Sequence, residues 1–461
     1  MKMKKILAGL LVSVMSMGTL AGCATSTENA NNTKDTPKVE KQEEQSKEES
    51  SSSGEEKVVP GEREATIRLS WWGGDARHEA TQKAVDAFMT KYPKIKVEVE
   101  FGAWTGWEEN IATQVMSKTA PDVLQINWNW IDAYSGNGEA FLDLNSVGEI
   151  LDLSQWDDFI LNQCKIGDNV QAVPVAMTGR TFYWNETTYE KAGIGTPKSF
   201  EELMAAGPIF KEKLGDKAYP LAMGEYDRMI FLVHFLQSKY GKNWVDDGKV
   251  NYTAEQIKEG LDAMAEMEKN HVIPTLQKLA GDGAESLDKN QNWIEGNYAG
   301  ILEWDTSASK FIKATPDSKI VVGDYFKDLG QYQGGFTKVS MGFAISANTK
   351  YPEESALLMQ FLLNDPEGTA IMASERGIPA SKAAFDVVEK NNLIDPNVSE
   401  ANGKVMSWCQ YTLDPKFEHN TLKSNPEGVY YKIMSKVSYG EMDTATGASE
   451  LLSQITAFLA K

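Results

Sequence analysis

The sequence has few of the residues that build metal sites and disulfide frameworks. Its 461 residues include 3 cysteines and 4 histidines, and no two histidines have the spacing of a zinc site. Once Cys23 is assigned to the targeting segment described below, only Cys164 and Cys409 remain. A disulfide framework is therefore excluded, although sequence alone leaves open whether these two cysteines pair. We expect neither a metal ion nor any other cofactor.

Long apolar runs and phosphate-binding loops are also missing. Beyond residue 22 no apolar segment approaches the length of a transmembrane helix, and no Walker A pattern of glycines and lysine is present. The chain is acidic, with a formal net charge of −20, which disfavours nucleic acid as a partner. The charge is equally compatible with a role in solubility alone.

The first 22 residues are predicted to be a lipoprotein signal peptide. Three lysines among the first five residues precede the apolar stretch 6–20. The sequence Leu-Ala-Gly-Cys at 20–23 resembles the lipobox of bacterial lipoproteins, which implies lipid attachment to Cys23; the alternative is an ordinary secretory signal with an incidental cysteine. Residues 23–59 hold the lipidated cysteine and a polar stretch without aromatic residues, which predicts a disordered tether.

From residue 60 onward, strand and helix patterns alternate. The segments are a strand at 66–71, a helix at 79–92 ended by Pro93, a strand with period-two alternation at 95–101, a helix at 107–118 and a buried strand at 121–126. This order predicts an α/β fold with a parallel sheet. The roughly 400 residues of this part suggest two lobes or more.

Candidate site residues follow the predicted strands, because ligands of open α/β sheets bind at the carboxyl ends of the strands. They are Trp71, Trp72, Gly73, Gly74, Asp75 and Arg77 after the first strand, Gly102, Trp104 and Trp107 after the second, and Asn127, Trp128, Asn129 and Trp130 after the third. An indole packs on the apolar face of a sugar ring, and amides and carboxylates bond to its hydroxyls. We therefore expect a carbohydrate site, with Trp72, Trp104 and Trp128 favoured as a group. Any single tryptophan is equally well explained as core or lobe-lobe packing.

Seven segments, spread over nearly the whole exported chain, match a known family in sequence and in order. They lie within 69–74, 88–97, 120–126, 184–203, 342–346, 356–361 and 377–380. Together they resemble the bacterial extracellular solute-binding protein family that serves carbohydrate ABC importers. Each segment is a weak signal by itself, and their shared order is the specific one.

The resemblance implies a two-lobed, periplasmic-binding-protein-like α/β fold with hinge-linked lobes and a central cleft. We place the N-terminal lobe at 60–175 plus 303–343 and the C-terminal lobe at 176–302 plus 344–461. The chain is expected to cross between the lobes near 173–177, 300–303 and 343–345. Hinge closure on the ligand would then couple binding to a shape that a permease can recognise.

The second lobe and the crossovers are expected to supply the other wall of the site. The candidates are Thr178, Arg180, Tyr226, Asp227, Trp304, Asp305, Gly335 and Phe336, with Trp408 as a more distant one. Among only six arginines, Arg77, Arg180 and Arg228 lie in or beside these loops, where a guanidinium would hold the carboxylate of a uronate sugar. The same arginines would also serve as helix caps or as partners of acidic neighbours.

The resemblance implies a monomer, lipid-anchored at the outer face of the cell membrane, that captures a carbohydrate and passes it to the permease subunits of an ABC importer. Several tryptophans favour an oligosaccharide as the ligand. No catalysis is expected. One alternative is a cell-surface glycoside hydrolase using carboxylates such as Glu108, Glu109, Glu303 and Asp305; another is a peptide-binding or sensing protein of the same fold.

Overall fold

Two β-sheets organise the chain. The computed structural model describes residues 59–283 and 286–460, so the predicted signal peptide, Cys23 and the tether before Val59 lie outside the described residues. The strands are β1 (Ala65–Trp72), β2 (Ile95–Gly102), β3 (Val123–Ile126), β4 (Lys165–Ile166), β5 (Asn169–Val170), β6 (Val173–Thr178), β7 (Arg180–Asn185), β8 (Val245–Asp246), β9 (Lys249–Val250), β10 (Gly300–Trp304), β11 (Ile320–Val322), β12 (Phe336–Ile345) and β13 (Tyr411–Thr412).

Helices cover both sheets. They are α1 (Asp75–Lys91), α2 (Trp107–Met116), α3 (Trp130–Ser135), α4 (Asp158–Leu161), α5 (Glu186–Lys191), α6 (Phe200–Leu214), α7 (Glu225–Tyr240), α8 (Ala254–Lys269), α9 (Leu276–Gly281), α10 (Gln291–Ile294), α11 (Ala308–Lys313), α12 (Pro352–Leu363), α13 (Pro366–Met372), α14 (Lys382–Lys390), α15 (Pro396–Trp408), α16 (Asn420–Lys423), α17 (Val429–Ser438) and α18 (Thr444–Leu459). Among the helices of the described ranges, none has both the length and the hydropathy needed to span a membrane.

The first sheet has the strand order β13-β12-β3-β1-β2, and β6 also pairs with β12. Strand β1 runs parallel to β2 and β3, which confirms the predicted parallel arrangement, while β12 is antiparallel to β3 and β6. Ile67, Leu69 and Trp71 of β1 are fully buried, whereas β2 buries Ile95 and Val97 and exposes Lys96 between them. The carboxyl ends of β1, β2 and β3 therefore meet at one edge.

The second sheet is antiparallel, with the order β10-β7-β11. The chain enters it from the first sheet through Gly179, which joins β6 directly to β7. A Cβ at Gly179 would lie 2.7 Å from the carbonyl oxygen of Phe336 and 2.6 Å from Val405. A glycine is needed here because the neighbouring backbone leaves no room for a side chain.

The chain returns to the first sheet between β11 and β12. The first predicted crossover, 173–177, ends two residues before Gly179. The segments near 300–303 and 343–345, in contrast, lie inside β10 and β12, each of which pairs within one sheet. A strand's own sequence does not reveal its partner, so the sequence alone could not assign these two segments to one sheet.

The predicted boundaries of the two lobes remain a prediction. Strand pairing and helix packing agree with them for only part of the chain. Strand β11, assigned to the N-terminal lobe, pairs with β7 of the second sheet. Helices α12 and α13, assigned to the C-terminal lobe, pack against α1 beside the first sheet. Strand β11 and helices α12 and α13 therefore each contact elements that were assigned to the other lobe.

Candidate functional site

Aromatic and charged side chains from both sheets meet near the loop that follows β3. We call this group the central cluster; its members are Trp128, Arg180, Tyr226, Asp227, Glu303, Trp304, Lys338 and Glu418. Five of them were predicted as site residues, namely Trp128, Arg180, Tyr226, Asp227 and Trp304. The structure thus brings together residues that are far apart in the sequence.

A buried ion pair joins Lys338 of β12 to Glu418, the last residue of a 3-10 helix at Pro415–Glu418. The Lys338 Nζ atom lies 2.8 Å from Glu418 Oε2, and both side chains are 4% exposed. Trp128 Nε1 donates to the same oxygen at 3.3 Å, and the Tyr226 hydroxyl donates to the other carboxylate oxygen at 2.8 Å. Asn129 Nδ2 donates to the Glu418 carbonyl at 3.0 Å.

The electrostatic surroundings keep Glu418 ionised. Burial opposes ionisation, but the positive charges of Lys338 and Lys423 and the hydrogen bonds from Lys338 and Tyr226 outweigh it and lower the pKa of Glu418 to about 2. Burial lowers the pKa of Lys338, and Glu418 opposes that change. The ammonium group lies 4.8 Å from the centre of the Trp304 ring and 5.9 Å from that of Trp128. The cation is therefore enclosed by two indoles and one carboxylate.

Arg180 contacts the remaining charged members of the central cluster and two of its aromatic members. Its Nη1 atom lies 2.8 Å from Asp227 Oδ1 and 3.2 Å from Glu303 Oε2. The guanidinium carbon lies 4.5 Å from the Trp304 ring centre and 5.7 Å from that of Tyr226. Burial raises the pKa of both Asp227 and Glu303. The positive charge of Arg180 opposes this rise but is shared between the two carboxylates.

Buried polar atoms without hydrogen-bond partners occur in and beside the central cluster. Within the described part of the chain, Asn127 Oδ1, Asn129 Oδ1 and Arg180 Nε have no partner, and the three residues are 7%, 2% and 7% exposed. Most buried polar groups in proteins are hydrogen-bonded, so such atoms indicate capacity for an added polar molecule. Asn127 was predicted as a site residue, and its unpaired acceptor fits that prediction.

A second aromatic group lies at the carboxyl ends of β1 and β2. We call Trp72, Trp104 and Trp130 the tryptophan group. Trp72 lies 5.2 Å from Trp104 and 5.3 Å from Trp130 between ring centres, and Trp104 and Trp130 stack at 6.2 Å. Trp104 is 42% exposed, whereas the other two are buried. The Lys423 ammonium lies 5.7 Å from the Trp104 ring centre, so the segment 415–423 contacts both groups of residues.

Glu108 lies behind the tryptophan group. Its carboxylate accepts hydrogen bonds from Trp130 Nε1 at 2.9 Å and from the Tyr134 hydroxyl at 3.4 Å. Burial raises the pKa of Glu108, and the charge of Lys423 opposes the rise. Glu108 thus fixes the orientation of the Trp130 indole.

Trp71, Trp107 and Asp75 are predicted site residues that belong neither to the central cluster nor to the tryptophan group. Trp71 points into the core, where its Nε1 donates to His78 at 3.0 Å and its ring stacks on Phe101 at 4.9 Å. Trp107 is buried at the start of α2, and Asp75 is exposed at the start of α1. Trp71 continues the buried face of Ile67 and Leu69, and the alternating faces of a strand send Trp71 and Trp72 in opposite directions.

Asp305 bonds to the passage between the sheets. It is fully buried and accepts hydrogen bonds from the Thr178 hydroxyl, from the Gly179 amide at 3.4 Å and from Asn402 Nδ2 at 2.7 Å. Burial raises its pKa to about 6, and these hydrogen bonds, together with one from the Thr306 amide, oppose the rise. Asp305 therefore fixes the β6–β7 passage and the end of β10.

Gly335 and Phe336 lie behind Arg180. With Arg180, His234 and Tyr325 they line a small cavity. Gly335 has φ +99, a conformation that favours glycine, and Phe336 packs edge-on against Trp304 at 6.4 Å. Trp408 lies beyond them, where it stacks on Tyr325 and donates to the Gly334 carbonyl at 2.7 Å.

Of the three arginines considered for a uronate, only Arg180 lies in the central cluster. Arg228 is 3% exposed and bonds to Glu268 and to the carbonyls of Met223 and Pro274. Arg77 donates to the carbonyls of Trp72 at 3.2 Å and Glu375 at 3.1 Å. Its contacts fix the loop after β1.

Sequence reasoning missed Lys338 and Glu418. Lys338 is a charged residue inside the largely apolar strand β12, and a charge in a buried strand requires a partner, so a signal was present. Glu418 carries no comparable signal, because one acidic residue in a polar loop does not stand out among 66. Among the side chains that the structure describes, no group of three or more His, Cys, Asp and Glu is placed to hold a metal ion, and Cys164 and Cys409 are free.

Comparison with known proteins gives relatives over most of the chain. A periplasmic oligogalacturonide binding protein from Yersinia enterocolitica, in complex with saturated digalacturonic acid, is 33% identical, with 86% of this chain and 99% of that chain covered and a TM-score of 0.81. A second Yersinia structure of this description, with no ligand named, has a TM-score of 0.69. A periplasmic solute binding protein from Pectobacterium atrosepticum is 32% identical over 86% of this chain and 99% of that chain, with a TM-score of 0.80.

A curated relative and a family model agree with these structures. The multiple sugar-binding protein of Streptococcus mutans is 21% identical over 318 residues, which are 65% of this chain and 72% of that protein. The family model described as bacterial extracellular solute-binding protein matches residues 74–369. The likeness to periplasmic solute-binding proteins confirms the predicted two-lobed α/β fold. This chain belongs to the bacterial extracellular solute-binding protein family.

Proposed function

We propose that this chain captures a carbohydrate outside the cell and delivers it to the permease subunits of an ABC importer. The observation that carries the proposal is the central cluster, in which two indoles and a phenol ring surround charged groups beside buried amide oxygens without partners. Apolar ring faces next to hydrogen-bonding groups match the two kinds of surface of a sugar. The sugar-binding relatives support this assignment.

The ligand class we propose is an acidic oligosaccharide. Arg180, Lys338 and Lys423 bring three positive charges to the aromatic side chains, although the chain as a whole is acidic. A cation beside a ring face suits a uronate, which carries a carboxylate on each sugar ring. The Yersinia relative, with its bound digalacturonic acid, supports the same class. The exposed Trp104 ring, on the tryptophan group, is proposed to take a further sugar ring.

We propose that binding closes the two lobes. The central cluster draws Lys338 from the first sheet, Trp128 from the loop after β3, and Arg180 and Trp304 from the second sheet. Lobe movement would therefore assemble or open it. The chain is more similar to the Yersinia complex than to the second Yersinia structure, with TM-scores of 0.81 and 0.69. A permease that recognises the closed form would then receive only loaded protein.

Anchoring, oligomeric state and the absence of catalysis are further parts of the proposal. Cys23 is proposed to carry the lipid, the following polar residues to serve as the tether, and the protein to act as a monomer without enzymatic activity. Mass spectrometry of the N-terminal peptide tests the lipid directly. A diacylglyceryl group on Cys23 is expected, and an unmodified peptide would show that the anchor is absent.

Thermal melting against a ligand panel tests the proposed function. A ligand that binds only the folded state raises the melting temperature. We expect saturated digalacturonic acid to give the largest rise, a neutral oligosaccharide a smaller one and peptides none. A rise with peptides and none with any saccharide would replace carbohydrate capture by peptide binding.

A further inference from the structure

Glu418 occupies a set of donors that are suited to a ligand. An ammonium, an indole N–H and a phenolic hydroxyl, from Lys338, Trp128 and Tyr226, converge on its two carboxylate oxygens. Each donor comes from a different element: β12, the loop after β3, and α7. Charge-assisted hydrogen bonds of this kind also hold the carboxylate of a bound acid.

Carboxylates at least match the cations around the site before any ligand binds. Three cations, Arg180, Lys338 and Lys423, face the three carboxylates of the central cluster, Asp227, Glu303 and Glu418, and Lys423 also acts on Glu108. Among the described residues, Glu418 is the only carboxylate that forms a salt bridge with Lys338. A uronate that entered while all three carboxylates remained would add an uncompensated negative charge, which is costly in a buried site.

Glu418 lies on a short segment, so its side chain can leave without disturbing a long helix. It ends the 3-10 helix Pro415–Glu418, and the four-residue helix α16 follows. The main chain at this point is tied separately, because Asn129 bonds to the Glu418 carbonyl. Rotation of the side chain would release Lys338 and leave that tie in place.

We propose that the Glu418 carboxylate is an internal stand-in for a ligand carboxylate, and that an acidic sugar displaces it from Lys338. The inference rests on the proposed function and adds a specificity mechanism to it. A uronate replaces one carboxylate by another at Lys338 and restores the ion pair. A neutral sugar offers no carboxylate and leaves the pair of Lys338 and Glu418 intact.

Calorimetric titration with saturated digalacturonic acid and with neutral galactobiose tests the exchange. Glu418→Gln removes the competing charge and keeps the side-chain shape, so we expect about tenfold tighter binding of the acid and less than about twofold change for the neutral sugar. Glu303→Gln removes a carboxylate that does not bond to Lys338 and controls for simple charge; about twofold tightening of the acid is expected from it. Glu268→Gln, in the pair with Arg228 that has no contact with Lys338, controls for loss of a buried ion pair.

The outcomes separate the exchange from its alternatives. Equal tightening by Glu418→Gln and Glu303→Gln, or weaker binding of both sugars to Glu418→Gln, would overturn the exchange. Binding of neither sugar to the unmodified protein would overturn the proposed function itself. If Glu418→Gln does not fold, Glu418→Asp keeps the charge but withdraws it from Lys338; about threefold tighter binding of the acid is expected, and unchanged or weaker binding contradicts the exchange.

Discussion

The ammonium of Lys338 and the carboxylate of Glu418 lie 2.8 Å apart, and both side chains are almost completely removed from solvent. Lys338 belongs to a strand of the first sheet, whereas Glu418 also bonds to Tyr226 on α7. The pair therefore connects the first sheet to a carboxylate that also bonds to α7. Its energetic consequences are open to measurement without any ligand.

Removing one partner of this pair should cost far more than removing both. Lys338→Met leaves Glu418 buried and unpaired, which is expected to lower the free energy of unfolding by about 3–5 kcal/mol. Combining Lys338→Met with Glu418→Gln removes both charges, and most of the loss should be recovered. Urea unfolding of the two variants measures the difference. If the free energy of unfolding of Lys338→Met alone lay within about 1 kcal/mol of that of the unmodified protein, the pair would not be buried in solution.

Trp104 and Trp71 should separate binding from folding. Trp104 is 42% exposed beside Lys423, so Trp104→Ala is expected to weaken saccharide binding about fivefold while changing stability little. Trp71 is fully buried, and Trp71→Ala should lower the free energy of unfolding by about 3–5 kcal/mol. Titration calorimetry and urea unfolding on both variants provide the comparison. Unchanged affinity in Trp104→Ala would remove this ring from the site.

Asp305 should give the protein a pH-dependent stability. Its pKa is about 6 in the folded protein, above the ordinary value of 3.8, because burial disfavours the charged form. Between pH 3.8 and 6, Asp305 is therefore protonated in the folded protein and ionised in the unfolded chain. Its contribution to the free energy of unfolding falls by up to about 3 kcal/mol as the pH rises through that window. In Asp305→Asn this contribution is absent. Urea unfolding at pH 4 and pH 6 should show a smaller fall for the variant than for the unmodified protein; equal falls would contradict the raised pKa.

The glycoside hydrolase alternative makes an opposite prediction about the carboxylates of the cluster. Asp227 and Glu303 both face Arg180, an arrangement that holds them as ion-pair partners. We expect no release of reducing ends above the blank when the protein is incubated with oligogalacturonides. Release that disappears in Glu303→Gln would make the protein an enzyme instead of a carrier.

The alternating pattern of the chain was enough to predict the three parallel strands β1, β2 and β3 of the first sheet. Strands β1, β2 and β3 lie where period-two and apolar runs indicated, and their carboxyl ends meet as the parallel arrangement requires. This is why Trp72 and Trp104 could be placed together before any coordinates. Trp71 was grouped with them although the alternation already carried the contrary signal, because Trp71 continues the buried face of Ile67 and Leu69.

The contacts that complete the site depend on long-range pairing. Lys338 and Glu418 are 80 residues apart, and Trp128 and Glu418 are 290 apart. Local patterns do not encode which acidic residue meets a buried lysine, and Asp305 could not be told from a site carboxylate by position alone. The packing of α12 and α13 against α1 escaped prediction for the same reason.

A crystal structure of the protein with saturated digalacturonic acid tests the central claim most directly. The account predicts a sugar ring against an indole of the central cluster or the tryptophan group and a uronate carboxylate within hydrogen-bonding distance of Lys338 Nζ, with Glu418 turned away. A ligand bound elsewhere on the protein, with Lys338 still paired to Glu418, would contradict it.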